Sequence, residues 1–256
     1  MILERERRGR VEILRLNRPE ARNAMSPELS IAIEEALDDI ETADDVWTVV
    51  ITGTGPIFCA GADLKAVASG NAAAIETKKG GFGGIARRDF PKPIIAAVQG
   101  PALAGGFELV LACDLVVAAT EATFGLPESK RGLLAAAGGP IRLAHRVAMP
   151  LALEIVMTGE QISAERAYQV GLVNRLVPAD SVVDEAVALA EVINANSPTS
   201  IRASRKLVKG AVDGTEADGW KLTAELGRVV FGSGDAIEGS TAFVEKRPPN
   251  WNPPAL

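Results

Sequence analysis

The chain has 256 residues, 47% of them hydrophobic but only 4% aromatic, with 27 basic against 33 acidic side chains and a net charge of −6. That length supports one large domain, or one domain with a small appendage, around a sizeable core built mostly of Ala, Val, Leu and Ile. The acidic balance argues against nucleic-acid binding, which needs a basic field.

Val11 to Leu16 reads as a strand, closed by the Asn17-Arg18-Pro19 loop. Ser26-Pro27 opens a helix, with Ser as N-cap and Pro in the first turn. Ile33, Ala36, Leu37 and Ile40 give that helix one apolar face. Val46 to Thr52 is a second, β-branched strand; Gly53 to Gly61 is turn-rich, and Ala62-Asp63-Leu64-Lys65 begins a helix. Residues 69–84 are small, polar and glycine-rich, and are expected to form a mobile loop. Ile94 to Gln99 is a strand broken by Gly100-Pro101, a helix runs from about Gly105 to Cys113, and Leu115 to Ala119 is again a strand. The alternation implies an α/β layered core.

After Gly138 the pattern turns helical. Met149-Pro150 opens a helix that closes near Gly159, and Ser163 caps another with Gly171 just past its end. Leu172 to Val177 is a short strand, and three helical stretches are expected between Asp180 and Lys246, before a non-helical proline-rich tail. The expected division is an α/β core over 1–195 and a helical region over 196–256, with no internal repeat. The charged first ten residues lack a secretory apolar centre, and the run Ile94–Phe107 is too short and too interrupted to span a bilayer. Cys59 and Cys113 sit in apolar surroundings and read as buried free thiols. A cytoplasmic protein that engages neither membrane nor nucleic acid is expected.

Two acids stand out. From Ile94 to Ala119 the charged residues are Glu108 and Asp114. A carboxylate in so apolar a run is costly unless it is paired, solvated or neutralised. Glu108 follows a Gly-Gly pair, where backbone can approach a ligand closely, and Glu128 ends Phe124-Gly125-Leu126-Pro127-Glu128. Two such carboxylates brought together suit acid/base chemistry on a weakly acidic C–H.

Several other chemistries are disfavoured. His145 is the one histidine, so a zinc site is not expected, and no Gly-x-Ser-x-Gly elbow accompanies it. No Walker-type phosphate loop is present, and Gly80-Gly81-Phe82-Gly83-Gly84 follows no strand, so it reads as a flexible loop. The corners Phe58–Leu64 and Ala104–Leu109 both place free N–H groups of a helix start where a ligand oxygen could reach them. Two converging N–H groups make an oxyanion hole, although either corner could equally be glycine-driven packing.

Over essentially its full length the chain resembles the crotonase (enoyl-CoA hydratase/isomerase) family. The resemblance is carried, in order, by LNRPEARNAM, VVITGTGPIFCAGADL, KPIIAAVQGPALAGGFELVLACDLVVA, ATFGLPE, MTGEQISAERAYQVGLVNRLV and GSTAFVEKR. It implies an α/β crotonase-like (ClpP/crotonase) spiral of ββα units with a helical C-terminal trimerisation region. It implies an enoyl-CoA hydratase: syn addition of water to a trans-2-enoyl-CoA, as in fatty acid β-oxidation. Coenzyme A is then part of the substrate, and neither metal nor other cofactor is needed.

In that family the thioester oxygen is held by two backbone N–H groups, which match Ala62 and Gly105 here. Glu108 and Glu128 match the two acids, the first activating water and the second supplying a proton to the α carbon. Ala60, Ala62, Asp63, Leu64 and Lys65 match residues lining coenzyme A. Phe243 and Lys246 match residues that reach the coenzyme A of a neighbouring subunit in a homotrimer or a hexamer built as a dimer of trimers. A solvated helix-end role competes for Lys246. Arg202, Arg205, Lys206 and Lys209 form a basic face at helical spacing, read as a solvated face.

The loop after the second acid, Gly132 to Gly139, lacks the proline common among hydratases, which leaves the acyl group open. In this the chain also resembles carnitinyl-CoA dehydratase-like members. The rival readings are a Δ3,Δ2-enoyl-CoA isomerase relying on Glu128, such a specialised dehydratase, and a non-catalytic binder of acyl-CoA or RNA.

Overall fold

A computed structural model of the protein describes residues 1–68, 70 and 72–253. Residues 69 and 71 of the expected loop, and 254–256 of the expected helical region, lie outside the described residues. In chain order the elements are β1 (Leu3–Arg8), β2 (Val11–Leu16), α1 (Pro27–Thr42), β3 (Thr48–Gly53), α2 (Leu64–Ala68), β4 (Glu76–Thr77), β5 (Gly81–Phe82), β6 (Ile94–Val98), β7 (Ala102–Leu103) and α3 (Gly105–Ala112). There follow β8 (Leu115–Ala119), β9 (Thr123–Gly125), α4 (Gly139–Arg146), α5 (Met149–Thr158), β10 (Ile162–Ser163), α6 (Ala164–Gln169), β11 (Arg175–Val177), α7 (Val182–Asn194), α8 (Pro198–Asp213), α9 (Glu216–Phe231) and α10 (Gly234–Glu245).

The main sheet has six strands in the order β1-β2-β3-β6-β8-β11. Only β1 and β2 pair antiparallel; every later neighbour is parallel. Parallel strands covered on both faces need apolar side chains on both, which is why β3 and β6 are buried along their whole lengths. A second sheet, β10-β9-β7, sets the chain corners that carry the site. Helix α1 starts as its sequence predicts: the Ser26 hydroxyl accepts the Leu29 N–H, and Ile33, Ala36, Leu37 and Ile40 are buried.

Strand β1 has no apolar signature, since Leu3 alone among its residues is buried. Besides its antiparallel ladder with β2, it is held by charge. Glu12 on β2, 4% exposed, accepts from Arg5 Nε at 2.8 Å and Arg7 Nε at 2.7 Å. Arg5, Arg7 and Arg8 also reach Asp39, Asp45 and Asp184. A buried carboxylate held by two guanidinium groups is tolerated because its lone pairs are filled.

The structure corrects four further readings. The strand expected over Leu172–Val177 shrinks to β11, because the N–H groups of Leu172 and Val173 both turn back to the Ala167 carbonyl. Four helices, not three, follow Asp180; the Ser197 cap and the Thr215–Asp218 capping box divide them. The basic face of α8 is not simply solvated. Arg202 is buried, and Arg205 and Lys209 pair with Asp114 at 2.8 and 2.9 Å, while Lys206 stays exposed. Finally, residues 76–84 are not an open loop but the β4–β5 hairpin and a following turn, packed against α1. An added Cβ at Gly84 would stand 2.5 Å from the Ser30 carbonyl oxygen, so the glycines there serve close packing.

Candidate active site

The site begins where β7 turns into α3. Ala104, the N-cap, adopts φ 52° and ψ −130°, a strained conformation for a residue with a Cβ. It turns the chain from β7 into α3, whose first N–H groups have no intrahelical acceptor. Close packing then explains the Gly-Gly pair. A Cβ on Gly106 would lie 2.1 Å from the Cys59 carbonyl oxygen, and one on Gly105 would lie 2.4 Å from the tip of the Phe82 ring.

The Cys59–Ala62 corner is pressed against the same turn. A Cβ on Gly61 would come within 3.1 Å of the Gly105 nitrogen. Met25 donates to the Gly61 carbonyl at 2.8 Å, and Asp63 donates to the Met25 carbonyl at 2.9 Å. That pattern passes over the Ala62 N–H. Among the described residues neither Ala62 N–H nor Gly105 N–H has a protein acceptor. Two neighbouring free donors at chain corners fit an oxygen that gains negative charge.

Glu108, one turn into α3, is 3% exposed, and its Oε1 accepts the Gly139 N–H at 2.8 Å. Burial pushes its carboxyl up to about 7; the Gly139 N–H works against this, and the Glu128 charge adds to it. Glu128 lies in the single-turn helix Pro127–Arg131. Burial raises its carboxyl as well, opposed by its own backbone N–H and by Arg131. Glu128 Oε2 is buried and has no partner among the described residues, so nothing bonded to that oxygen offsets its desolvation. Desolvation in one shared cavity raises both acids.

Both acids line a cavity of ≈ 810 Å³. Ala60, Ala62, Asp63, Leu64, Lys65 and Gly105 line it too, so eight of the ten residues singled out in the sequence converge. Asp63 holds the rim in shape. Its carboxylate takes Arg18 Nη2 at 2.9 Å and the Lys65 N–H at 3.0 Å, and the Arg18 contact keeps it below the usual carboxylate range. Phe243 and Lys246 do not line the cavity. Both are exposed at the end of α10, Phe243 at 86%.

The cavity has further walls that the sequence does not announce. Arg18 and Arg22 sit within a quoted motif; Ile75, Glu76 and Phe82 come from the expected loop, which gave no hint of a wall. Leu133 and Leu134, both exposed, close another part. Among the described residues no three His, Cys, Asp or Glu side chains converge as metal ligands, and no helix is long and apolar enough to cross a membrane.

A model of the enoyl-CoA hydratase/isomerase family matches residues 6–254. The chain is 37% identical over 252 residues to Enoyl-CoA hydratase EchA19 of Mycobacterium tuberculosis, covering 96% of this chain and 94% of that one. The structure is similar to a crystal structure of enoyl-CoA hydratase from Mycobacterium tuberculosis, with a TM-score of 0.94, 40% identity and 98% of each chain covered. It is also similar to a crystal structure of carnitinyl-CoA hydratase from Mycobacterium avium, with a TM-score of 0.79, 45% identity and 98% of each chain covered.

Proposed function

The chain belongs to the enoyl-CoA hydratase/isomerase family, and from that premise we propose that it is an enoyl-CoA hydratase, a hydro-lyase that reversibly adds water to a trans-2-enoyl-CoA. The observation that carries this reading is the meeting of Glu108, Glu128 and the free N–H groups of Ala62 and Gly105 in one cavity.

The thioester oxygen accepts from Ala62 and Gly105, and one water sits between the two carboxyl groups. Glu108, ionised, takes a proton from the water as its oxygen bonds to the β carbon. The π pair moves toward the thioester, whose oxygen becomes enolate-like, and Glu128, neutral, gives its proton to the α carbon. The product is the 3-hydroxyacyl-CoA. Glu108 is left protonated and Glu128 ionised, and exchange through a second water resets them. One oxyanion donor typically contributes roughly 3 kcal/mol or more to lowering the barrier. Nothing in these steps calls for a metal or a redox cofactor; coenzyme A is the handle of the substrate.

A second reading, dehydration or hydration of a polar carnitinyl-type acyl-CoA, is favoured by the 45% identity to the carnitinyl-CoA hydratase. It uses the same acids. An isomerase would need Glu128 alone and would keep much of its rate in Glu108→Gln.

We further propose a homotrimer or a dimer of trimers, supported by the exposed apolar side chains Phe231, Ile237 and Phe243 on α9 and α10. In such an assembly Phe243 and Lys246 would serve a neighbour's coenzyme A. A cytoplasmic setting in fatty acid breakdown is the matching context. The decisive assay is loss of the enoyl absorbance of crotonyl-CoA on adding purified protein; no activity across several chain lengths would refute the hydratase reading.

A further inference from the structure

The segment that carries Phe82 owes its shape to a carboxylate on another element. Glu34, on α1, directs one oxygen, Oε2, at the turn between β4 and β5. That oxygen accepts the Thr77 hydroxyl, the Lys79 N–H at 3.0 Å and the Gly80 N–H at 2.6 Å. Two main-chain N–H groups and one hydroxyl on one oxygen make a small anion-binding concavity. Lys79 and Arg88 add ion pairs to Asp38, and Arg88 also to Glu41, further along the same face of α1.

The hairpin so fixed delivers Phe82 to one place. Phe82 pairs with Glu76 across the ladder, and its ring tip rests on Gly105 so closely that a Cβ there would be 2.4 Å away. Behind it, a Cβ on Gly83 would meet Leu109 of α3 at 2.8 Å. The first turn of α3 is thus backed by a wall that α1 holds through hydrogen bonds to main-chain groups.

We propose that Glu34 is a positioning residue for the Gly105 N–H, acting through the hairpin and the Phe82 ring. The inference rests on Gly105 being an oxyanion donor, as read above. An oxyanion donor works only when aimed at the transition-state oxygen, and misplacement by a fraction of an ångström is felt in turnover more than in binding.

The test is Glu34→Ala, with Glu34→Gln, Thr77→Val and Phe82→Ala beside it. Steady-state rates with crotonyl-CoA are combined with the infrared carbonyl band of bound butyryl-CoA labelled with ¹³C at the thioester carbon. Glu34→Ala should lower kcat about tenfold with KM within about twofold, and should return the bound carbonyl band part of the way toward its position in water. Glu34→Gln keeps the acceptor oxygen and should recover most of both. In the Phe82→Ala background, Glu34→Ala should add less than about twofold, because its effect runs through that ring.

A wild-type band and a wild-type kcat per folded molecule in Glu34→Ala overturn the proposal, as do losses from Glu34→Ala and Phe82→Ala that multiply independently. If Glu34→Ala does not fold, Thr77→Val decides: it removes one donor and leaves α1 intact, and an unmoved band sinks the idea. Wild type that shifts the butyryl-CoA band yet does not hydrate crotonyl-CoA defeats the hydratase reading alone. Wild type that does not bind butyryl-CoA defeats both.

Discussion

Glu108→Gln should make the protein more stable and far less active, and the gain should depend on pH. Burial lifts the Glu108 carboxyl from 4.5 in the unfolded chain to about 7 in the fold. That difference corresponds to about 3 kcal/mol between its two protonation states. The folded state binds this proton more tightly than the unfolded state does. Below pH 4.5 both states are protonated and the group costs nothing. Between 4.5 and about 7 the unfolded chain ionises first and stability falls; above about 7 the whole cost is present.

Glutamine is nearly isosteric, keeps an oxygen for the Gly139 N–H and never ionises. Urea unfolding at fixed protein concentration should therefore find the variant equal to wild type at pH 4.5 and more stable by up to about 3 kcal/mol at pH 8. Hydration of crotonyl-CoA should fall by roughly 10²- to 10⁴-fold, the usual contribution of a positioned base. A variant no more stable than wild type at pH 8, or equally advantaged at both pH values, would refute the claim that Glu108 is an acid buried at a cost.

Three other expectations follow from the geometry. The rate kcat/KM for hydration should change with pH around 7, where Glu108 titrates; a profile flat from pH 5 to pH 8 contradicts its role as base. Gly105→Ala puts a methyl group where only 2.4 Å separates it from the Phe82 ring, so kcat should fall by at least about 10²-fold while the fold survives. Unchanged turnover in that variant would remove Gly105 from the oxyanion pair. Glu12→Ala leaves Arg5 and Arg7 without their shared carboxylate and should cost about 2 kcal/mol in urea unfolding; a change under about 0.5 kcal/mol would show that β1 is held by its backbone ladder alone.

The parts of the fold and site that are legible in the sequence are those written in local chemistry. The parallel strands announce themselves because burial on both faces demands unbroken apolar runs. Helix α1 announces its start with Ser26-Pro27, and the two acids stand out because their surroundings are apolar or glycine-rich. What is illegible depends on partners far away in the chain. The strand Leu3–Arg8 looks like a charged tail until Glu12, Asp39, Asp45 and Asp184 are placed around it. The glycine run near Phe82 looks loose because what tightens it is Glu34, more than forty residues earlier. The basic face of α8 looks solvated because Asp114 lies about ninety residues away along the chain.

In the main sheet the spatial order β1-β2-β3-β6-β8-β11 is also the order of synthesis. Each strand joins at the free edge left by the one before it, and none has to be threaded between two strands already paired. The opening β1–β2 hairpin is local, and the parallel strands add to it one by one, so the sheet can grow as the chain emerges. The proposed reaction centre cannot keep pace with it. Glu108 arrives on α3, but its Gly139 partner comes thirty-one residues later. A nascent chain therefore holds a nearly complete sheet before it holds a finished site, and hydration is among the last properties it acquires.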